Sequence, residues 1–264
     1  SPCRSRFRNR GRSCLRPAGR RLASALPLPG PWCCSPAGRA RRSPSQRPRA
    51  GGRSSRFGKD KALVSLGDKT LIEHVHDRLK GVVEEIVISV RSPRHKRIYS
   101  QLIGECTFVI DKLPDHGPLN GLSSGLGRVT GEKVTVVGCD MPFICPGLIL
   151  LLCDLASRHD AVIPRWPNGY IEPLHAVYRS DSCRAATRIA LRRGRIDMRA
   201  MISEIDSILY LSTEVIRKLD PDLKAFININ NQRDLKRAVD LLTSRKSCRK
   251  PANSLFSGKG GGNR

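Results

Sequence analysis

The sequence predicts a three-layer α/β/α domain built on one mostly parallel sheet. Three observations carry this. From residue 62 onward, short apolar runs of strand length alternate with segments of helical period. The strongest run, 133–138 (KVTVVG), is apolar without alternation, as a strand covered on both faces must be. Loops rich in Gly, Asn and Asp follow the predicted strands, where open α/β sheets place ligands. The domain is expected over 50–242, between basic extensions at 1–49 and 243–264 that lack regular structure.

Leu71, Ile72, Val75 and Leu79 share one helical face, and Gly81 ends that helix. The run 85–90 (EIVISV) reads as a buried parallel strand, 94–103 as a helix, and 107–110 as a short strand closing at Asp111. A helix of small residues follows over 119–129, then the strand 133–138 and an apolar helix over 146–157 opened by Pro146. Further strands are predicted at 161–164, 174–178 and 208–211, with an Arg-rich helix over 181–193. A last short strand at 225–229 and a helix at 232–242 close the domain, and one late strand runs antiparallel to the others.

The formal charge of +25 is concentrated at the ends. Residues 1–49 hold 13 Arg and no acid, and 243–264 hold six Lys or Arg and no acid, leaving 29 basic against 23 acidic residues between them. A mildly positive domain suits a small anionic substrate. Without interleaved stacking aromatics it gives no ground for specific nucleic-acid binding. The extension 1–49, rich in Arg, Pro, Ser and Gly, is expected to be unstructured. Its only apolar stretch, 22–28, is too short and too proline-broken for an export signal. Ten cysteines without any Cys-x-x-Cys fit a reducing cytoplasm, and no apolar run reaches the roughly 20 residues that span a bilayer.

Four constellations carry chemistry. Ala50, Gly51 and Gly52, followed by Arg56, Gly58 and Lys61, form a loop whose backbone amides can approach phosphate oxygens while two cations add charge. Flexible linkers also contain Gly-Gly-Arg; the register of Arg56, Gly58 and Lys61 favours the phosphate loop. Asp140, in Gly138-Cys139-Asp140-Met141-Pro142, follows the strongest strand and could hold Mg²⁺, which takes few carboxylates plus substrate phosphates. Asp111 with Gly117-Pro118-Leu119-Asn120-Gly121 could pack on a base or ribose, or be a plain turn before a helix. In 226–231 (FININN), alternation puts Phe226, Asn228 and Asn230 on one side, with a helix N-cap as the simpler role. Glu172-Pro173-Leu174 is a weaker signal, since Glu-Pro is common at strand entry.

Taken in order, AGGRSSRFGKDKAL, VIDKLPDHGPLNGL, VVGCDMPF, EPLHAVY and FININNQRDL resemble the molybdenum cofactor guanylyltransferases over about 190 residues. The resemblance implies a Rossmann-like nucleotidyltransferase sheet and transfer of GMP from GTP to molybdopterin, with pyrophosphate released and Mg²⁺ as cofactor. It implies nucleotide contacts at Ala50, Gly51, Gly52, Lys61, Ser89, Asp111 and Asp140, with Asp140 the metal ligand. Arg56, Lys61 and Asp140 would carry catalysis, and Gly117, Pro118, Asn228 and Asn230 would bind substrate. Transient contact with molybdenum-cofactor carrier or acceptor proteins is a further expectation. Ser89 stands where the family often has Asn. Competing readings are a related transferase (a molybdopterin cytidylyltransferase, or a guanylyltransferase for cobinamide phosphate or a sugar phosphate) and a catalytically impaired GTP-binding relative.

One departure is larger. The family places an apolar strand directly before the Ala-Gly-Gly loop, and here 43–49 (SPSQRPR) has two prolines and two arginines. Such a segment cannot form a buried central strand. The first strand is therefore expected to be degraded or replaced, and the sheet weakened.

Overall fold

The computed structural model describes residues 22–27, 60–112 and 117–247. The first strand, β1 (Leu22–Pro27), is followed by a 3-10 turn at Lys61–Leu63 and a small hairpin of β2 (Ser65–Leu66) and β3 (Lys69–Thr70). Then come α1 (Leu71–Leu79), β4 (Glu85–Val90), α2 (Pro93–Tyr99), β5 (Thr107–Ile110), α3 (Pro118–Leu126) and β6 (Lys133–Val137). The second half runs α4 (Pro146–Leu155), β7 (Ala161–Arg165), β8 (His175–Arg179), α5 (Ser180–Arg192), α6 (Met198–Ile202) and β9 (Ile208–Ser212). It ends with α7 (Thr213–Ile216), a 3-10 turn at Lys224–Phe226 and α8 (Gln232–Ser247).

Local chemistry sets the helix starts. Proline occupies the first turn of α2, α3 and α4, where its missing N–H costs nothing. Thr70 and Glu73 form a reciprocal capping box at α1, and the Asp197 carboxylate accepts the Ala200 amide at α6.

Seven strands make one sheet in the order β5-β4-β1-β6-β8-β7-β9, parallel except for β8, which pairs antiparallel with both β6 and β7. This is the single late antiparallel strand that the sequence predicts. Alternate residues feed two cores. Ile86, Ile88 and Val90 of β4 pack with Ile72, Val75 and Leu79 of α1 and with Leu148 and Leu152 of α4. Val87, Val134, Val136 and Tyr178 face the other way, onto Leu119 and Leu122 of α3, Ala186 of α5 and Met201 of α6. Helices thus cover both faces, and the strands must be apolar throughout.

Three expectations need correction. The central position is filled: β1 pairs in parallel with β4 (Ala23 opposite Glu85, Pro27 opposite Ser89) and with β6 (Leu22 opposite Lys133). The strand thus comes from further upstream than the loop it should adjoin, and Leu22–Pro27 departs from the expected lack of structure over 1–49. These six residues carry no charge, and the one proline stands last, where a missing donor is tolerated. The ground for expecting a weakened sheet falls with this. Residues 43–49 themselves lie outside the described residues.

Second, 225–229 is no strand. Leu223, at φ 51°, leads into the 3-10 turn, and the Asp220 carboxylate accepts the Ala225 amide at 2.7 Å. The backbone N–H of Ile229 then donates to the Asp140 carbonyl, so the segment straps the end of β6 without joining the sheet. Third, α8 runs five residues past the expected boundary at 242, because no glycine or proline interrupts it before Pro251.

Candidate nucleotide site

The parallel strands bring their carboxyl ends to one rim, and the predicted residues gather there. Asp111 follows β5, Ser89 is the next-to-last residue of β4, and Asp140 lies three residues beyond β6. Between the ends of β5 and β6 run three strand spacings, roughly 14 Å in all, enough to lay out a nucleotide.

Asp140 is aimed by its surroundings. A Cβ on Gly138 would stand 2.5 Å from Asp140 Oδ1, so the carboxylate folds back into space that only glycine leaves open. The residue is 8% exposed. Lys61 Nζ donates to Asp140 Oδ2 at 2.7 Å and to Asn230 Oδ1 at 2.7 Å. The Asn230 N–H donates to Asp234 Oδ2 at 2.8 Å, which ties this contact to the start of α8. Lysine, aspartate and asparagine thus converge from three distant parts of the chain.

Lys61 is steadied from its own side. The neighbouring Asp60 accepts from the Ala62 amide through Oδ1 and from the Tyr99 hydroxyl through Oδ2, and His95 Nε2 lies 3.5 Å from Oδ2. Burial, with the charge of Asp60, raises the Tyr99 pKa, so the phenol stays protonated and donates.

The other expected residues divide. Gly117 sits at φ 81°, and a Cβ there would stand 2.9 Å from the Ile196 carbonyl oxygen, so this turn into Pro118 and α3 requires glycine. The Asp111 N–H donates to the Val90 carbonyl, and Ser124 Oγ donates to Asp111 Oδ1 at 3.2 Å. Ser89 is buried, and its Oγ has no partner among the described residues. Asn228 donates to the Phe226 carbonyl at 3.4 Å, whereas Asn230 accepts from Lys61, so the two asparagines have different partners. Ala50, Gly51, Gly52 and Arg56 lie outside the described residues.

Sequence reasoning underrated one neighbourhood. Glu172 is 7% exposed and accepts from Trp166 Nε1 at 2.8 Å. Burial, offset by the indole and reinforced by the charge of Asp140, pushes its pKa up to about 7. His175, opposite Val137, is fully buried, with neither ring nitrogen partnered among the described residues. Burial lowers its pKa to about 4, so it is neutral at pH 7. Its ring and that of Trp166 both meet Phe226 edge-on, at 5.1 and 5.7 Å. The Glu-Pro-Leu-His spacing was the only sequence signal for this cluster.

A separate groove of about 850 Å³ lies at the amino ends of β4 and β5, lined by Asp77, Glu84, Glu105 and Cys106 among others. It shares no residue with the Asp140 cluster. Among the described residues, no helix is long and apolar enough to cross a membrane, and no cluster of three His, Cys, Asp or Glu could hold a metal.

Known proteins resemble this chain in sequence and in fold. Residues 50–208 match the family model described as the MobA-like NTP transferase domain. A probable molybdenum cofactor guanylyltransferase of Methanosarcina mazei is 37% identical over 196 residues, 72% of this chain and 87% of that protein. One from Pyrococcus horikoshii is 38% identical over 191 residues, 70% of this chain and 94% of that one. Among solved structures, the molybdopterin-guanine dinucleotide biosynthesis protein A of Archaeoglobus fulgidus superposes with a TM-score of 0.64 at 25% identity, covering 84% of this chain and 99% of that one.

Proposed function

Because the chain belongs to the MobA-like NTP transferase family, we propose that it transfers GMP from GTP to molybdopterin and releases pyrophosphate. The observation that carries this reading is the convergence of Lys61, Asp140 and Asn230 at the carboxyl rim of the sheet. The relatives' names supply the two substrates.

The residues fit a divalent cation. The Lys61 ammonium already stands as a cation against two oxygen ligands, Asp140 Oδ2 and Asn230 Oδ1, each at 2.7 Å. One carboxylate and one amide oxygen suit Mg²⁺, which relies on substrate phosphates and water for the rest. Asp140 and Asn230 would hold it, and bound there it would neutralise charge on the triphosphate.

The acceptor's terminal phosphate is an anion at neutral pH, so attack on the α-phosphorus of GTP needs no strong base. The α-phosphorus gains one P–O bond and loses its bond to the bridging oxygen, which departs with pyrophosphate. Lys61 and Arg56 would neutralise the charge on the leaving group, while amides of Ala50, Gly51 and Gly52 position the phosphates. Asp111 and the Gly117-Pro118 turn would frame the base and the acceptor. Transient contact with molybdenum-cofactor carrier or acceptor proteins belongs to the same proposal. The five described cysteines are free thiols, which suits a reducing cytoplasm.

Pyrophosphate release by the full chain with GTP and molybdopterin is the test. Asp140→Ala should lower it by about 10²–10³ at unchanged far-UV dichroism. Full turnover in that variant would sink the reading.

A further inference from the structure

Lys61 and a metal ion would claim the same oxygen. Its Nζ lies 2.7 Å from Asp140 Oδ2, with side chains only 14% and 11% exposed, so the pair is largely out of water. The Ile229 amide holds the Asp140 carbonyl, the bond from Asn230 to Asp234 fixes the second acceptor, and Asp60 anchors the backbone next to Lys61. A divalent cation at Oδ2 would face an ammonium at contact distance, and like charges so close in a poorly hydrated site repel strongly. The ammonium ends a flexible four-carbon stem and can swing to another anion without moving the backbone. A triphosphate supplies that anion.

We infer that Lys61 keeps Asp140 closed to divalent metal until a nucleotide triphosphate draws the ammonium away, so that metal and nucleotide enter together. The inference rests on Asp140 being the metal ligand and Lys61 a phosphate contact, as in the proposed function. It goes further by making bare metal a poor ligand of the free protein. In linkage terms nucleotide and metal bind with positive coupling, and Lys61 is the element they share.

Mn²⁺ binding to the full chain, followed by electron paramagnetic resonance, tests this. Titrations run with and without saturating α,β-methylene GTP, corrected for Mn²⁺ chelated by free analogue. The unaltered protein should bind Mn²⁺ about tenfold more tightly with the analogue than without. Lys61→Gln should strengthen Mn²⁺ binding about tenfold in the absence of nucleotide and leave it nearly unchanged in its presence. An equal gain in both states means Lys61 acts only as a nearby charge and overturns the inference. No gain in either state overturns it too.

A measurement free of mutation guards against a misfolded variant. In the unaltered protein the Lys61 ammonium ¹⁵N resonance should hold its position when Mg²⁺ alone is added and shift when the analogue is added. A shift with Mg²⁺ alone refutes the inference. Failure of the underlying reading looks different: Asp140→Asn would then leave Mn²⁺ affinity unchanged even with the analogue bound.

Discussion

Gly138→Ala separates the function of the rim from its stability. The new Cβ would lie 2.5 Å from Asp140 Oδ1, and its next neighbours are Asp140 Cγ at 3.7 Å and Met141 Sδ at 3.9 Å. Ordinary carbon–oxygen contact needs about 3.4 Å, so the carboxylate must retreat by roughly 1 Å. Gly138 is not at positive φ, so alanine itself is conformationally permitted. The displaced atom is the end of a side chain, which can swing without moving β6. Loss of unfolded-state freedom favours alanine by about 0.4–1 kcal/mol, offset by a loosened pair whose two charges remain present. The net change should stay within about 2 kcal/mol, a melting shift of no more than roughly 4–8 °C. Turnover should fall on the order of 10²-fold, because a misplacement of about 1 Å at a reacting centre costs that much. Pyrophosphate release and differential scanning calorimetry on the same preparation read both. Undiminished turnover would refute the reasoning that glycine is there to aim Asp140.

Two pH predictions follow from the buried cluster, and they oppose each other. Glu172 has its folded pKa raised from 4.5 to about 7, so the native state holds its proton more tightly and stability falls as pH rises through that window, by about 3 kcal/mol in all. Glu172→Gln keeps an acceptor for Trp166 and removes that slope; urea titrations from pH 4.5 to 8 should show the variant gaining on the parent, and parallel curves would contradict the buried-acid assignment. His175 has its folded pKa lowered from 6.5 to about 4, so it contributes stability above pH 6.5 that is lost as pH falls toward 4, again about 3 kcal/mol. His175→Phe should be close to neutral at pH 8, since neither ring nitrogen has a described partner to lose, and stabilising below pH 6. A large loss at pH 8 would reveal a partner for that ring. In the unaltered chain the two slopes nearly cancel, so each needs its own variant to be seen.

Much of the sheet was legible because burial on both faces leaves a plain mark. The runs at 85–90 and 107–110 coincide with β4 and β5, and the helix ends near 71–79 follow from one apolar stripe. β1 was hidden for a physical reason. It is short, rich in small residues, preceded by Arg20 and Arg21 and ended by its own Pro27, so composition blends it into a basic tail. Only its pairing with β4 and β6 identifies it. The segment 225–229 misled in the opposite sense, since alternating Phe, Ile and Asn mimic a strand while Leu223 and Asp220 bend the chain into a turn. Of the site, Lys61 and Asp140 were readable from their motifs, and the structure brings the two side chains together. That Asn230 would hold the lysine depends on a backbone path that no local pattern encodes. Glu172 was undervalued because its character comes from Trp166 and from depth, and depth is tertiary information.

The position of β1 has a consequence for how much sequence makes this protein. The family model matches residues 50–208, yet the middle stave of the sheet is threaded from residues 22–27. A polypeptide that began at residue 50 would retain the glycine loop, the lysine and the aspartate, but β5-β4 would stand apart from β6-β8-β7-β9, two ribbons with a missing seam between them. A stretch outside the matched span is thus the one that joins the two halves of the sheet.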